Sequence, residues 1–261
     1  MTTSAPTREP ARILEPGTFP LPGFPGTFLT YGHDAVLEAV PFLRSMPWLA
    51  VDIESEGLKI LARNVKVVTI ATENHAWLFD PRDPAQHAAI RDIFGASPEL
   101  VFHNSAFDVS PLAYIGTMTE ADAAKVTDTL LWARLADPSE KGDRSLANCA
   151  RMYLGMHVED GVAARARKLG LTKDQYFLKV DLNSPAYRWD AASDGIATAR
   201  LRPILERRAY DHLTTGHPFE VYGVKEEEAH RLVWREQRIN RMTLARTVRG
   251  LRWDPEYLDA Y

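Results

Sequence analysis

Acidic residues recur in this chain at places where carboxylates are expensive. The stretch "WLAVDIE" runs apolar and then alternates with acids, so Asp52 and Glu54 stand two apart. On a strand, residues two apart share a face, and both carboxylates would aim at one spot. Neither ionises cheaply there unless a cation or a proton lies between them. A third acid, Asp108, follows an apolar run in "FHNSAFDVSPL", with Asn104 in the connecting loop. A fourth, Asp194, sits in "DAASDGIATARL", where the apolar spacing is helical. An acid on the buried side of a helix is costly unless compensated. Four carboxylates from three segments could converge on two hard divalent cations, which prefer oxygen ligands. Two such ions about 4 Å apart activate a water and stabilise the leaving oxygen of a phosphodiester. Taken singly, each acid also has an ordinary reading: a solvated strand end for Asp52 and Glu54, a first-turn helix acid for Asp108, an exposed helix face for Asp194.

Strand and helix signals alternate around these acids. "YGHDAVLEAVPFLRS" reads as a short helix begun near His33 and Asp34 and stopped before Pro47. "WLAVDIE" is a buried strand, and residues 65–72 and 75–81 read as two more, joined at Glu73 and Asn74. "AQHAAIRDIFG" is an amphipathic helix closed by glycine. Residues 99–104 are another strand, and "AFDVSPLAYIG" is a helix after it. "VTDTLLWARLADP" and "RSLANCARMYLG" read as two helices, and residues 161–169 as helical within a charged, irregular stretch. "SPAYRWDAASDGIATARLRPILERRAY" is a long helix with Ser184 as N-cap and Pro185 at its first position. Pro203 inside it predicts a kink or a break. A final helix covers about 225–249. The pattern predicts an α/β fold, a mixed sheet with helices on its faces. Such sheets carry their active groups at strand ends and on the helices beside them.

Composition sets outer limits. The 261 residues, 45% hydrophobic and 25% charged, suit a soluble globular chain able to build a core without staples. A single cysteine, Cys149, excludes an intrachain disulfide and a cysteine metal site, in keeping with a reducing compartment. No apolar run reaches the length of a membrane span, and the N-terminal stretch lacks the apolar core of a secretory signal. A cytoplasmic protein with no membrane partner is expected. A net charge of −4 speaks against general attraction to nucleic acid. Yet seven arginines face two glutamates between Glu228 and Arg252. Arg231, Arg235, Arg238 and Arg241 are spaced four, three and three apart, one helical stripe, with Leu232, Ile239 and Met242 for the buried side. The stripe could track a DNA backbone, or be a solvated face paired to Glu227 and Glu228.

Together the acids resemble a known family. D-x-E at Asp52 and Glu54, N-x-x-x-D at Asn104 and Asp108 on a strand-to-helix junction, and the late Asp194 match, in order, the three motifs of the DEDD 3′–5′ exonucleases. "TDTLLWARLADPSEKGDRSLANCARMYLG" is similar to the segment that ribonuclease D-type enzymes and proofreading domains carry after the second motif. The resemblance spans roughly residues 45–210. It implies a ribonuclease H-like mixed β-sheet flanked by helices and followed by a long C-terminal helix. It also implies two Mg²⁺ or Mn²⁺ ions held by Asp52, Glu54, Asp108 and Asp194, with Asp52 bridging both. Asn104 would hold the substrate strand near its 3′ end, Ser55 would hydrogen-bond the terminal nucleotide, and Leu58 would wedge against its base. Phe107 would offer a stacking face, which is tolerant of base identity. The ordinary reading of Leu58 and Phe107 is core packing.

A second resemblance concerns the C-terminus. "VYGVKEEEAHRLVWREQRINRMTLARTVRGLRWDPEYLDAY" is similar to the stretch joining the exonuclease to the thumb of family A DNA polymerases. It implies the proofreading portion of a bacterial- or phage-type, DNA polymerase I-like protein acting in DNA replication. The divisions would be an arm over 1–30, the exonuclease over 31–216 and a helical linker over 217–261. A polymerase domain in cis or in a longer chain would be the partner, and the short arm leaves no room for a 5′-nuclease domain. The expected activity is hydrolysis of terminal phosphodiesters at the 3′ end of single-stranded DNA, releasing nucleoside monophosphates. The alternatives are a catalytically weakened DNA-binding or structural domain and a ribonuclease D-like exoribonuclease. One departure stands out. The family places a Tyr four residues before the last acid or a His five before, and here those positions are Asp190 and Trp189. Asp190 shares a helix face with Asp194 and could reach the attacking water. Tyr187 is two turns back, about 10.5 Å of rise and too far without rearrangement. Reduced or altered activity is therefore expected.

Overall fold

The acid-bearing strand becomes an interior strand because both its faces are apolar enough to be covered. In the computed structural model, which describes residues 15–55, 64–139, 142–158, 166–172, 175–176, 184–215 and 225–250, it belongs to a seven-stranded mixed sheet. The strands are β1 (Gly17–Pro20), β2 (Phe28–Tyr31), β3 (Leu49–Ser55), β4 (Val65–Ala71), β5 (His75–Phe79), β6 (Leu100–Phe102) and β7 (Val126–Asp128). Their order is β1-β2-β5-β4-β3-β6-β7. β3, β4 and β5 run antiparallel to their neighbours in that trio, whereas β2–β5, β3–β6 and β6–β7 are parallel pairs.

Parallel pairs need long connections, which helices supply here. α1 (His33–Glu38) and α2 (Val40–Arg44) lie between β2 and β3, and α3 (Pro84–Ala96) between β5 and β6. α4 (Ser105–Tyr114) and α5 (Glu120–Ala123) lie between β6 and β7. Then come α6 (Thr129–Ala136), α7 (Leu146–Leu154), α8 (Pro185–Thr215) and α9 (Glu226–Arg249). On one face of the sheet Leu49, Val51, Ile53, Val68 and Ile70 share a core with Ile90, Ile93, Phe94, Val109 and Leu112 of α3 and α4. On the other, Ala50, Ala71, Ala76 and Leu78 meet Ala191, Ala192, Ile196 and Ala199 of α8.

Small residues let α8 lie close on the sheet, and Gly195 marks the tightest point. A Cβ there would fall 2.7 Å from Thr69 Cγ2 and 3.1 Å from Ala71 Cβ, both on the central strand β4. A Gly195→Val protein must lift α8 or bend β4, at a cost of at least about 1–3 kcal/mol from overpacking. The urea midpoint checks the loss, and an unshifted midpoint would refute the close contact.

Several elements depart from the sequence reading. Residues 1 to about 30 read from sequence as an extended arm, yet Gly17–Pro20 and Phe28–Tyr31 join the sheet, β1 as an edge strand paired antiparallel to β2 and β2 parallel to β5. Strands of four residues give too few alternations to register as a period, and the open edge of β5 supplies the pairing. Val126–Asp128, expected to open a helix, is a third parallel strand beside β6. The first expected helix is split into α1 and α2 at Ala39, with Pro41 in the first turn of the second. α8 passes Pro203 without a break, because packing along most of its length holds it continuous. On α9 the buried residues are Ala229, Val233, Gln237 and Leu244, whereas Ile239 and Met242, expected on the buried side, are 50% and 67% exposed. The expected helix over 161–169 lies largely outside the described residues, as do Leu58 and the segment 251–261. Among the described residues, no helix is long and apolar enough to cross a membrane.

Candidate active site

Strand alternation and one helix turn bring three of the predicted acids together. Asp52 and Glu54 of β3 stand opposite Thr69 and Val67 of β4, on the face that α8 covers. Asp194 comes down from α8 one residue before the tight contact at Gly195. One carboxylate oxygen from each of Asp52, Glu54 and Asp194 lies within 4.8 Å of the others. Glu54 is 7% exposed, and the other two are half-buried. The β3–β4 register shifts between Glu54 and Ser55. Ser55 ends the strand and is buried.

Asp108 joins from the other side of β3. Leu49 donates its N–H to Glu99 O at 3.1 Å, and the N–H groups of Val51 and Ile53 point the same way along the strand. β3 and β6 pair at Leu49–Leu100 and Ala50–Val101, so at Ile53 the ladder has ended. There the Asp108 carboxylate, from the helix that follows β6, accepts the Ile53 N–H. Asp108 is 4% exposed. Burial, then the neighbouring Asp52 charge and then Asp128, push its carboxyl well above the usual carboxylate range, against the pull of the Ile53 N–H. The arrangement is three clustered acids with a fourth whose carboxyl feels the Asp52 charge.

The other expected residues surround this group unevenly. Asn104 caps α4 from an exposed position with φ 72° and ψ 50°, and it is the one non-glycine residue with positive φ among the described residues. A left-handed asparagine at a strand-to-helix junction is a held conformation rather than a relaxed one. Phe107, half-buried in the first turn of α4, donates its N–H to Asn104 O at 3.0 Å. Asp190 is half-buried one turn before Asp194, outside the three-acid group. Arg231, Arg235 and Arg238 are exposed on α9. Arg241 turns inward, donating to Val126 O at 2.7 Å and Thr127 Oγ1 at 2.8 Å, so it braces β7 instead of extending the stripe.

Tyr187, too far from Asp194 along its own helix, feels instead the acids of the facing strand. It is 1% exposed within the core beneath α8. Burial first, then the Glu54 and Asp52 charges, raise its phenol above the ordinary range. Spacing along one helix measured its distance from the water of Asp194; it said nothing about the strand across from it. The i, i+3, i+7 series Tyr187, Asp190, Asp194 was the available signal, since all three share one helix face.

The donor set suits a hard divalent cation. Three carboxylates supply oxygen only, with no sulfur or imidazole in the group, which favours Mg²⁺ or Mn²⁺ over softer metals. Clustered acids this buried also need a compensating positive charge.

Comparison with known proteins agrees with this geometry. A family profile described as 3′-5′ exonuclease matches residues 31–209. No curated protein sequence matches the chain. Among solved structures, Escherichia coli RNase D, described as an exoribonuclease involved in structured RNA processing, is similar at a TM-score of 0.57 and 15% identity, over 84% of this chain and 50% of that one. The catalytic core of RRP6 from Trypanosoma brucei is similar at 0.57 and 17% identity, over 88% and 56%. The EXO domain of Aedes aegypti Nibbler follows at 0.52 and 14%, over 77% and 94%. The chain thus spans about half the length of the RNase D and RRP6 chains, and at these identities the likeness is one of fold: an α/β, ribonuclease H-like exonuclease sheet. These neighbours are not family A polymerases. With the profile covering most of its length and the acids gathered where strand and helix deliver them, the chain belongs to the 3′–5′ exonuclease family.

Proposed function

We propose that the chain is a two-metal-ion 3′–5′ exonuclease that hydrolyses terminal phosphodiesters of single-stranded nucleic acid and releases nucleoside monophosphates. The observation that carries this reading is the grouping of Asp52, Glu54 and Asp194 oxygens within 4.8 Å, with buried Asp108 under the influence of the Asp52 charge. Asp52, Glu54, Asp108 and Asp194 would hold Mg²⁺ or Mn²⁺, which lowers the pKa of a water and stabilises charge on the leaving oxygen. Asn104 orients the 3′-terminal strand from its exposed corner, and Phe107 offers the terminal base a ring to stack on. Asp190 accepts the proton of the attacking water at its carboxylate. The exposed Arg231, Arg235 and Arg238 add phosphate contacts, with affinity that weakens as salt rises.

DNA is the first substrate reading, from the resemblance of the C-terminal segment to the exonuclease–thumb junction of polymerases, with a polymerase domain as partner. The likeness in fold to RNase D and RRP6 supports RNA as the second reading. A gel assay of 5′-labelled single-stranded DNA and RNA with Mg²⁺ or Mn²⁺ separates them. A ladder shortened from the 3′ end, absent in Asp52→Ala, is the expected result. Faster shortening of RNA selects the second reading, and binding without digestion under either metal overturns both.

A further inference from the structure

α4 owes its seat to a residue outside the acid motifs. Asp128, the last residue of β7 and the N-cap of α6, is 5% exposed. Its Oδ1 accepts the N–H groups of Asn104 and Leu130, each at 2.9 Å. Its Oδ2 accepts the Ser105 N–H at 2.8 Å and the Ser105 hydroxyl at 2.7 Å. One carboxylate therefore fixes both the left-handed turn at Asn104 and the first residue of α4, three positions before Asp108.

Asp128 is itself held from the far end of the chain. Gln237 of α9 is fully buried. Its Oε1 accepts the Asp128 N–H at 2.8 Å and its Nε2 donates to Asp128 O at 2.8 Å. The side-chain amide does for edge strand β7 what another strand would do, satisfying backbone groups that cannot be left unpaired when buried. Three positions on, Asn240 Nδ2 donates to Ser105 Oγ at 3.0 Å. Gln237 and Asn240 thus lie on one helix face and close a loop of hydrogen bonds through Asp128 and Ser105. A glutamine in this place is poorly explained by burial alone, since an apolar side chain would fill the space at no desolvation cost. A fully satisfied polar network specifies one geometry, and here that geometry is the N-terminus of the helix carrying Asp108.

We propose that Gln237, Asn240 and Asp128 are positioning residues for Asn104 and Asp108, so that the last helix completes the catalytic unit. The kinetic part rests on the exonuclease reading; the structural part does not. The test is Gln237→Met in the full chain, which keeps length but leaves the Asp128 N–H unpaired and takes one donor from its C=O, with Asn240→Ala as a milder variant that spares β7. Native-state hydrogen exchange should show the Asn104 and Ser105 amides exchanging faster in both variants, with Val68 and Ile70 of β4 unchanged. At a temperature where circular dichroism shows a folded chain, kcat for 3′-end hydrolysis should fall about 10–100-fold in Gln237→Met, the usual effect of losing an outer-shell partner, with KM little changed. Unchanged exchange at Asn104 and Ser105, or equal acceleration at Val68 and Ile70, overturns the proposal, as does a wild-type kcat in a folded variant. An inactive wild type would refute the exonuclease reading alone, and the exchange comparison would still decide this one. Should Gln237→Met fail to fold, Asn240→Ala decides.

Discussion

An Asp52→Ala protein is expected to fold like the wild type and to lose at least roughly 10³-fold of its 3′-end hydrolysis, since metal-ion catalysis supplies several kcal/mol of barrier lowering and each 1.4 kcal/mol is a factor of ten. Asp52 is the acid that belongs to both halves of the site. Its oxygen lies within 4.8 Å of those of Glu54 and Asp194, and its charge is the one that acts most on Asp108. Removing it would take away one proposed ligand and relieve repulsion among the clustered acids. Single-turnover hydrolysis under Mg²⁺ and a thermal melt without metal measure the two effects. A loss of about a hundredfold or less would sink the metal assignment, because losing a residue that only supports the ligands costs about 10–100-fold.

The second large effect separates stability from activity. Asp108→Asn is expected to abolish hydrolysis to a similar degree while making the metal-free protein more stable at neutral pH, by about 0.5–2 kcal/mol, the usual gain from relieving one unfavourable group. The sign follows from the direction of its shift. Burial and the Asp52 charge raise the Asp108 carboxyl above its ordinary 3.8, so the folded protein holds this proton more tightly than the unfolded chain. That contribution is fully present below the unfolded pKa and is lost as pH rises through the raised folded value. Metal-free wild type should therefore lose stability between about pH 4 and that higher value, and Asp108→Asn should not show this loss. Added Mn²⁺ should raise the melting temperature of the wild type and leave the variant nearly unmoved, since a ligand stabilises only the state that binds it. Equal melting temperatures for both metal-free proteins across that pH range would refute the strain assigned to Asp108.

The acids were legible because their chemistry is local. A two-residue offset on a strand, an asparagine and an aspartate across a strand-to-helix junction, and an acid within a helical apolar pattern each leave a mark within a few positions, and the central strands β3, β4 and β5 were readable from their long apolar runs. β1, β2 and β7 were not: they span three or four residues, and their pairing comes from neighbours distant in the chain, whereas the equally short β6 shows through its apolar run between turn signals.

By itself the sequence determined the α/β class, the order of the acid motifs and the candidate ligands Asp52, Glu54, Asp108 and Asp194. Only the tertiary structure decided which of them share a space. It placed Asp108 on the Ile53 N–H beyond the end of β6 and set Tyr187 within electrostatic reach of Glu54, and it turned Arg241 inward. It also linked Gln237 to Asp128 across 109 positions of chain. The physical reason is common to all four. Strand and helix periodicities state the direction of a side chain within its own element, whereas the partner it meets is set by which strand end or helix face the sheet order brings opposite it.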